Sequence, residues 1–358
     1  MKFADVLDIR NGKNQRQVEN PQGKYPIYGS GGLMGYANDY LCDAETVVIG
    51  RKGSINNPIF VNEPFWNVDT AFGLVADRQF LLPKYLYYFC VNYNFEKLNT
   101  TVTIPSLTKA NLLQINIDIP ELNIQKSIVE KLDKLTDLIV KKQKEIDFIV
   151  QLVKSRFIEM FGTQSQNEKG YMYGTIGDVA DIYLGLTHTP TYVNNGVKFI
   201  SAKNTSGDFL DLSDVKYISQ EEFKGAPLGA KPRRGDMLFS RVGSNLGHPV
   251  ILETDEDICT FVSLGFLRAK GKVTTLYLKH WMRDDFFAEQ VRQKVVGGGQ
   301  PNLNTGWLKE FKVIIPPMEL QEQFAVFVQA TDKSKLAIQR SLDELEILKK
   351  SLMQKYFG

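Results

Sequence analysis

The chain has 358 residues, with 43 basic and 41 acidic side chains and a formal charge of +2. That length makes two or three domains at about 100–200 residues each, and 43% hydrophobic residues supply enough apolar surface for cores, which excludes a disordered chain. The longest apolar stretch, from Tyr85 to Val91, is far short of the ~20 residues that cross a bilayer. Asp5 and Asp8 stand where a signal peptide is apolar, and the dispersed Cys42, Cys90, Cys259, His188, His248 and His280 form neither a disulfide framework nor a zinc motif, so a cytoplasmic protein without membrane association is expected.

In chain order, the first 120 residues read as mixed α+β structure. An opening Asp5-Val6-Leu7-Asp8-Ile9 leads into a basic stretch, Arg10, Lys13, Arg16 and Lys24 against only Glu19, with Tyr25, Tyr28 and Tyr36 close by. A glycine turn follows at Gly29 to Gly32, then short β-rich runs at Thr46 to Ile49 and Phe60-Val61, with Arg51, Lys52 and Ser54 in a glycine-flanked turn between them. Pro83 to Lys97 has the pattern of an amphipathic helix.

Residues 121–162 form the first long helix. Pro120 and Gly162 bound it, and Ile128, Leu132, Leu135, Ile139, Ile146, Ile149, Val153 and Phe157 make a heptad seam broken only by Lys142. Residues 163–316 repeat the mixed pattern, opening with Asp178-Val179-Ala180-Asp181-Ile182 and carrying Lys203, then Lys231, Arg233, Arg234 and Arg241 against only Asp236, with Ser244 beyond. Residues 317–358 form the second long helix, with Phe324, Val328, Ile338, Leu342 and Leu345 on its seam and polar breaks at Thr331 and Lys335. The breaks fall at different positions in the two helices, which marks them as partners in an intrachain pair. Each would be about 60 Å long, longer than a core requires and suited to a spacer.

The chain contains two copies of one plan. Phe161-Gly162 matches Phe357-Gly358, Gln125 matches Gln321, and Pro105 and Leu107 match Pro301 and Leu303, all at an offset of 196. The openings align at 173, and Gly50-Arg51-Lys52-Gly53-Ser54 with Ser240-Arg241-Val242-Gly243-Ser244 at 190, so the second copy gains residues in its loops. Catalytic signatures are missing: no GxxxxGK[ST], GxSxG or HExxH is present, and Asn57-Pro58-Ile59-Phe60 lacks the second proline of an amino-methyltransferase motif. The acidic run at 253–257 lacks the glycine and ligand spacing of an EF-hand and reads as a hairpin tip. A near-zero total charge argues at first sight against a nucleic-acid binder. Locally, however, basic residues beside glycines and aromatics recur in both copies, a combination suited to phosphates and base edges.

The stretch Gly299-Gln300-Pro301-Asn302-Leu303-Asn304, then Leu308-Lys309, then Ile315 to Gln323 resembles the GxxQxNLN…LK…IPLPPLxEQ pattern of specificity subunits of type I restriction-modification systems. Ile104 to Thr108, Ile119 to Leu122 and Gln125 are a weaker version in the first copy, without the glutamine and asparagine. The resemblance implies two target recognition domains, 1–120 and 163–316, each reading half of a split double-stranded DNA site, and two conserved helices, 121–162 and 317–358, paired antiparallel in a coiled coil with pseudo-two-fold symmetry. It assigns DNA contact to the basic candidates with Tyr28, Ser54, Ser244, Gln300 and Asn302, and no catalysis or cofactor to this chain. Two modification subunits that bind S-adenosylmethionine and methylate adenine are implied as partners. A restriction subunit using ATP and Mg is a further partner the resemblance allows. On this reading, four residues inserted within 126–150 would lengthen the unspecified spacer of the DNA site. The other reading of the same features is a structural module, with the helix pair used for assembly and the domains for binding peptide or sugar.

Overall fold

In the computed structural model the described residues are 1–99, 105–243, 245–294 and 302–358. The candidates Ser244 and Gln300, together with Gly299 and Pro301 of the motif and Ile104 of its weaker version, lie outside them. The chain forms two compact units, Met1–Glu145 with Ala337–Gly358, and Ile146–Leu336. The boundaries fall inside both long helices, so each unit owns part of each.

Unit 1 begins with helical turn α1 (Phe3–Val6) and strand β1 (Leu7–Asn11), followed by β2 (Tyr25–Gly29), β3 (Gly32–Ala37), β4 (Thr46–Gly50), β5 (Ile59–Val61), β6 (Trp66–Asn67) and β7 (Ala71–Ala76). Helices α2 (Pro83–Asn92), α3 (Lys109–Leu113) and α4 (Leu122–Phe161) complete the first copy. The main sheet has order β1-β7-β4-β5 and is antiparallel; a smaller sheet has order β3-β2-β6 with β2 and β6 parallel. Strand β4 is central, and every residue of its Thr-Val-Val-Ile-Gly run is buried, which is why its sequence is continuously apolar rather than alternating. Pro83 occupies the first turn of α2, where its missing N–H costs nothing.

Unit 2 holds β8 (Met172–Thr175), α5 (Ile176–Val179), β9 (Ala180–Leu184), β10 (Tyr192–Val193), β11 (Val197–Ile200), β12 (Lys216–Ile218), α6 (Gln220–Gly225), β13 (Met237–Ser240), β14 (Pro249–Ile251), β15 (Ile258–Thr260) and β16 (Leu264–Ala269). Then come α7 (Thr275–Trp281), α8 (Asp285–Lys294), α9 (Thr305–Glu310), β17 (Lys312–Ile315) and α10 (Met318–Phe357). Its main sheet, β9-β16-β13-β14, has the order of β1-β7-β4-β5, and the parallel pair β11·β15 matches β2·β6. Asp5 and Asp178 open both copies alike, their carboxylates accepting from the backbone N–H of Lys2 at 2.9 Å and of Thr175 at 2.8 Å. The repeat is therefore a repeat of topology. A large part of the extra length in the second copy is one loop: two residues join β2 to β3, whereas 201–215 join β11 to β12.

The residues that kept the 196 offset have a common physical role. Gln125 and Gln321 are both fully buried. Gln125 Nε2 donates to Phe80 O at 2.7 Å and Pro120 O at 2.8 Å, and its Oε1 accepts from Leu82 N–H at 2.9 Å. Gln321 Nε2 donates to Pro316 O at 2.8 Å and Lys272 O at 3.3 Å, and its Oε1 accepts from Thr274 N–H at 2.8 Å. Each glutamine clamps the start of a long helix to the residues that open α2 or α7.

The repeated Phe-Gly ending has a similar explanation. In unit 2 the end of α4 packs on the start of α10: Phe161 lies 5.0 Å from Tyr277 and 5.4 Å from Phe324. In unit 1 the end of α10 packs beside the start of α4. Phe357 lies 5.0 Å from Tyr85, and Met353 shares a core with Ile128 and Leu132. The two helices therefore run in opposite directions within each unit. Such aromatic contacts contribute about 0.5–1.5 kcal/mol each beyond area burial. Gly162 at φ +76° ends α4 in the left-handed conformation that a side chain resists. Of the seam residues, Ile128, Leu132, Leu135, Ile146, Phe324, Val328 and Leu342 are buried, while Ile139, Ile149, Ile338 and Leu345 are half-buried.

Candidate nucleic-acid interface

One end of the main sheet is built alike in both units. In unit 1, β4 runs into Arg51 and Lys52, whose N–H groups donate to Thr70 O at 2.8 and 3.3 Å. Gly53 follows at φ +82°, its N–H donating to Pro105 O at 3.1 Å, and Leu107 N–H returns to Arg51 O at 2.9 Å. Lys52 and Ser106 thus form an antiparallel bridge. At Gly50 a Cβ would lie 2.4 Å from Ser54 O, so this tight turn demands glycine there. Strand β1 ends beside it, with Gly12 N–H bonded to Ala71 O at 3.2 Å and Lys13 N–H to Asn67 O at 3.0 Å. Asn67 is fully buried and its side-chain amide donates to Arg10 O and Ala71 O, fixing this corner.

The result places Lys13, Arg51, Lys52 and Ser54 together, exposed, at one sheet end. Among the described residues none of the three cations has an acidic partner within 4.0 Å. Arg51 lies 5.8 Å from the Phe72 ring. Such cations can contact phosphates, and hydroxyls can reach base edges.

The other first-copy candidates sit elsewhere. Arg10 is held by Asp43 at 3.1 Å, Asp8 at 4.0 Å and Leu41 O at 2.9 Å. Arg16 and Lys24 are exposed but lie toward the base of the β2–β3 hairpin, where Tyr25 pairs with Ala37, away from the tip at 30–31. Tyr28 is half-buried with its ring 5.6 Å from Phe65. Burial, then Glu63 and Tyr36, push its hydroxyl pKa upward. The side chains the hairpin does expose are Leu33, Met34 and Tyr36. The signal for the first two was apolar residues between glycines, in a strand whose only buried residue is Ala37.

In unit 2 the same turn forms, but with different chemistry. Arg241 N–H donates to Ser263 O at 2.9 Å, Leu303 N–H to Arg241 O at 2.8 Å, Val242 bridges Asn302, and Gly243 sits at φ +87°. The Arg241 side chain departs from the expectation of a DNA contact. It is only 9% exposed, and its guanidinium donates to Leu303 O at 3.1 Å, Val262 O at 3.0 Å and Asn302 Oδ1 at 3.4 Å. Burial lowers its pKa. Arg241 is a strut that holds the loop bearing the exposed Asn302 against the sheet end.

The linear cluster 231–241 is also divided in space. Lys231, Arg233 and Arg234 precede β13 and Arg241 follows it, so a strand separates them. Arg234 is paired with Asp255 at 2.6 Å, and Lys231 Nζ lies 5.1 Å from the Phe223 ring and donates to Lys224 O. Arg233 is exposed without an ion pair among the described residues. The turn is stapled by the buried Asp236, which accepts two bonds from Arg268 at 2.9 and 2.6 Å. Lys203 is exposed and paired with Asp214 at 2.8 Å.

The chain matches the family model described as the type I restriction modification DNA specificity domain over residues 1–147 and 168–346. It is similar to the type I restriction enzyme MjaVIII specificity subunit of Methanocaldococcus jannaschii, 21% identical over 99% of this chain and 90% of that one. It is also similar to the type I restriction enzyme EcoDI specificity subunit of Escherichia coli, 20% identical over 100% of this chain and 87% of that one. Among solved structures it shares the fold of the type I restriction-modification S subunit from M. genitalium, with a TM-score of 0.65, 16% identity and coverage of 100% and 95%. A chain from a structure of the type I R-M system matches with a TM-score of 0.58, 17% identity and coverage of 100% and 96%. With two copies of one topology, a basic or polar turn at the same sheet end of each, and a family model spanning most of its length, the chain belongs to the type I restriction-modification DNA specificity family.

Proposed function

We propose that each unit reads one half of a bipartite double-stranded DNA site, and that partner subunits carry out adenine methylation and DNA cleavage there. The observation that carries this reading is the duplicated sheet-end turn. Arg51-Lys52-Gly53 and Arg241-Val242-Gly243 hold the same backbone conformation and the same bridge to the loop before α3 and α9. In unit 1 the turn offers cations without acidic partners among the described residues; in unit 2 it offers Asn302, with the polar Asn245 and His248 following. Two similar domains of one chain suit a DNA site of two parts, in the way dimeric readers suit paired half-sites.

The chain itself would hold no cofactor. S-adenosylmethionine would bind two modification subunits, and ATP with Mg a restriction subunit. Phe148, Val326 and Ile347 expose 64%, 68% and 70% of their surface on α4 and α10. The modification subunits would dock there. The test is co-purification from the native host followed by gel shift. The chain should bring down an adenine methyltransferase, and the complex should prefer DNA carrying both halves over DNA with either half scrambled. A lone chain, or a complex indifferent to one half, would refute the reading.

A further inference from the structure

The loop 201–215 has no counterpart in unit 1, where two residues make the same connection. It begins on the 3-10 turn Ala202–Thr205 and is ordered from within by Asn204, which is 3% exposed and donates to Asp211 O and Asp214 O, both at 3.0 Å. From this frame it reaches in two directions. On one side its backbone accepts from the turn after β13: His248 Nε2 lies 2.9 Å from Gly207 O, and Asn245 Nδ2 lies 3.4 Å from Ser206 O. On the other side Asp208 accepts from Arg283, just after α7, at 2.9 Å and pairs with Lys335 of α10. Lys279 of α7 approaches Asp208 O at 3.5 Å. Asp208 and Phe209 thereby cover a cavity of about 240 Å³ floored by Ile149, Val153, Phe157 and Val328.

The loop is therefore a strap, tying the turn at 245–248 to a long helix. Without Asp208, that turn has its own hairpin and two hydrogen bonds to a loop anchored at only one side. Burial alone would raise the Asp208 carboxyl. The Lys335 hydrogen bond and the charges of Arg283, Lys335 and Lys279 outweigh it and hold the pKa down to about 2, so the strap is charged and fastened at physiological pH.

We propose that Asp208 is a specificity-positioning residue: through the strap it fixes the 245–248 turn for readout of one half-site, and the other half-site depends on no such device. The proposal rests on the bipartite reading above. The experiment uses the assembled methyltransferase complex with Asp208→Asn and, as a milder variant that keeps the Arg283 pair, Lys335→Met. Initial methylation rates are measured on cognate DNA and on DNA mismatched in one half or the other. In the variants, discrimination against mismatches in one half should fall by about tenfold, a large part of what a base-pair mismatch is worth, while discrimination in the other half stays at the wild-type level. A merely structural role would lower melting temperature and all rates together. Discrimination unchanged in both halves of an intact complex, or lost equally in both, would overturn the proposal. Failure of the bipartite reading would show separately, as a wild-type complex without two independently required halves.

Discussion

Replacing Gln125 by Leu preserves side-chain volume and removes the clamp that fixes where α4 leaves unit 1. The side chain is fully buried and makes three hydrogen bonds of 2.7–2.9 Å. The two bonds to Phe80 O and Pro120 O are worth about 1 kcal/mol each, and leaving the Leu82 N–H without its partner costs about 1–3 kcal/mol. Burying a leucine in place of an amide returns about 1 kcal/mol. The net loss is about 2–4 kcal/mol, a large share of the ~5–15 kcal/mol that holds a domain together. For a unit of this size it corresponds to roughly 5–15 °C in melting temperature. Calorimetry combined with hydrogen exchange should show the loss, with exchange rising in 1–145 and 337–358 and little altered in 146–336. Gln321→Leu should mirror the effect in unit 2, slightly weaker because its bond to Lys272 O is longer, at 3.3 Å. A shift under about 2 °C, or equal loss of protection in both units, would refute the clamp as the origin of the shared offset.

Three further outcomes follow from named contacts. Arg51→Ala with Lys52→Ala should weaken DNA binding by the assembled complex across all sequences and reduce the salt slope by about two, one for each phosphate no longer neutralised, read by gel shift over a salt series. Arg241→Lys should cost about 2–4 kcal/mol of stability, because an ammonium cannot serve the three acceptors around the guanidinium; denaturant titration would show it, and a change confined to DNA affinity would contradict it. His280 is held down to about 3 by burial and the nearby Arg283 and Lys279, against 6.5 when unfolded. Its neutral form is thus part of the fold: its contribution is present above about 6.5 and lost as pH falls toward about 3, and His280→Phe, which can keep its ring contacts with Phe157 and Phe324, should flatten the acid limb of unit 2 stability.

The fold was legible where sequence pattern and tertiary role coincide. The heptad seam and the glycine and proline at the ends of the first helix follow from local rules, and the Gln125/Gln321 and Phe161/Phe357 pairs kept one offset because each serves the same clamp or docking contact. The unit boundaries were not legible in that way, since α4 and α10 each begin in one unit and end in the other and no composition change marks the crossing. The exposure of the candidates was legible at the turn 51–54, where glycines shape the backbone and Arg51 and Lys52 have no acidic partner among the described residues. It was misleading at 231–241. Nearness in sequence places charges on both ends of β13, and acidic or carbonyl partners far along the chain decide which remain free: Asp255 for Arg234, and Leu303 O and Val262 O for Arg241. The strap at 201–215 was visible only as extra length, because its meaning lies in what Asp208 meets on α10.

The central claim is that this one chain specifies a DNA site of two separated halves. The direct measurement is single-molecule sequencing of adenine methylation in cells with the gene, without it, and with Arg51→Ala and Lys52→Ala together. A bipartite methylated motif should be present with the gene and vanish without it, and the double variant should weaken its methylation. A motif that persists in the deletion, or one that is contiguous rather than split, would contradict the claim.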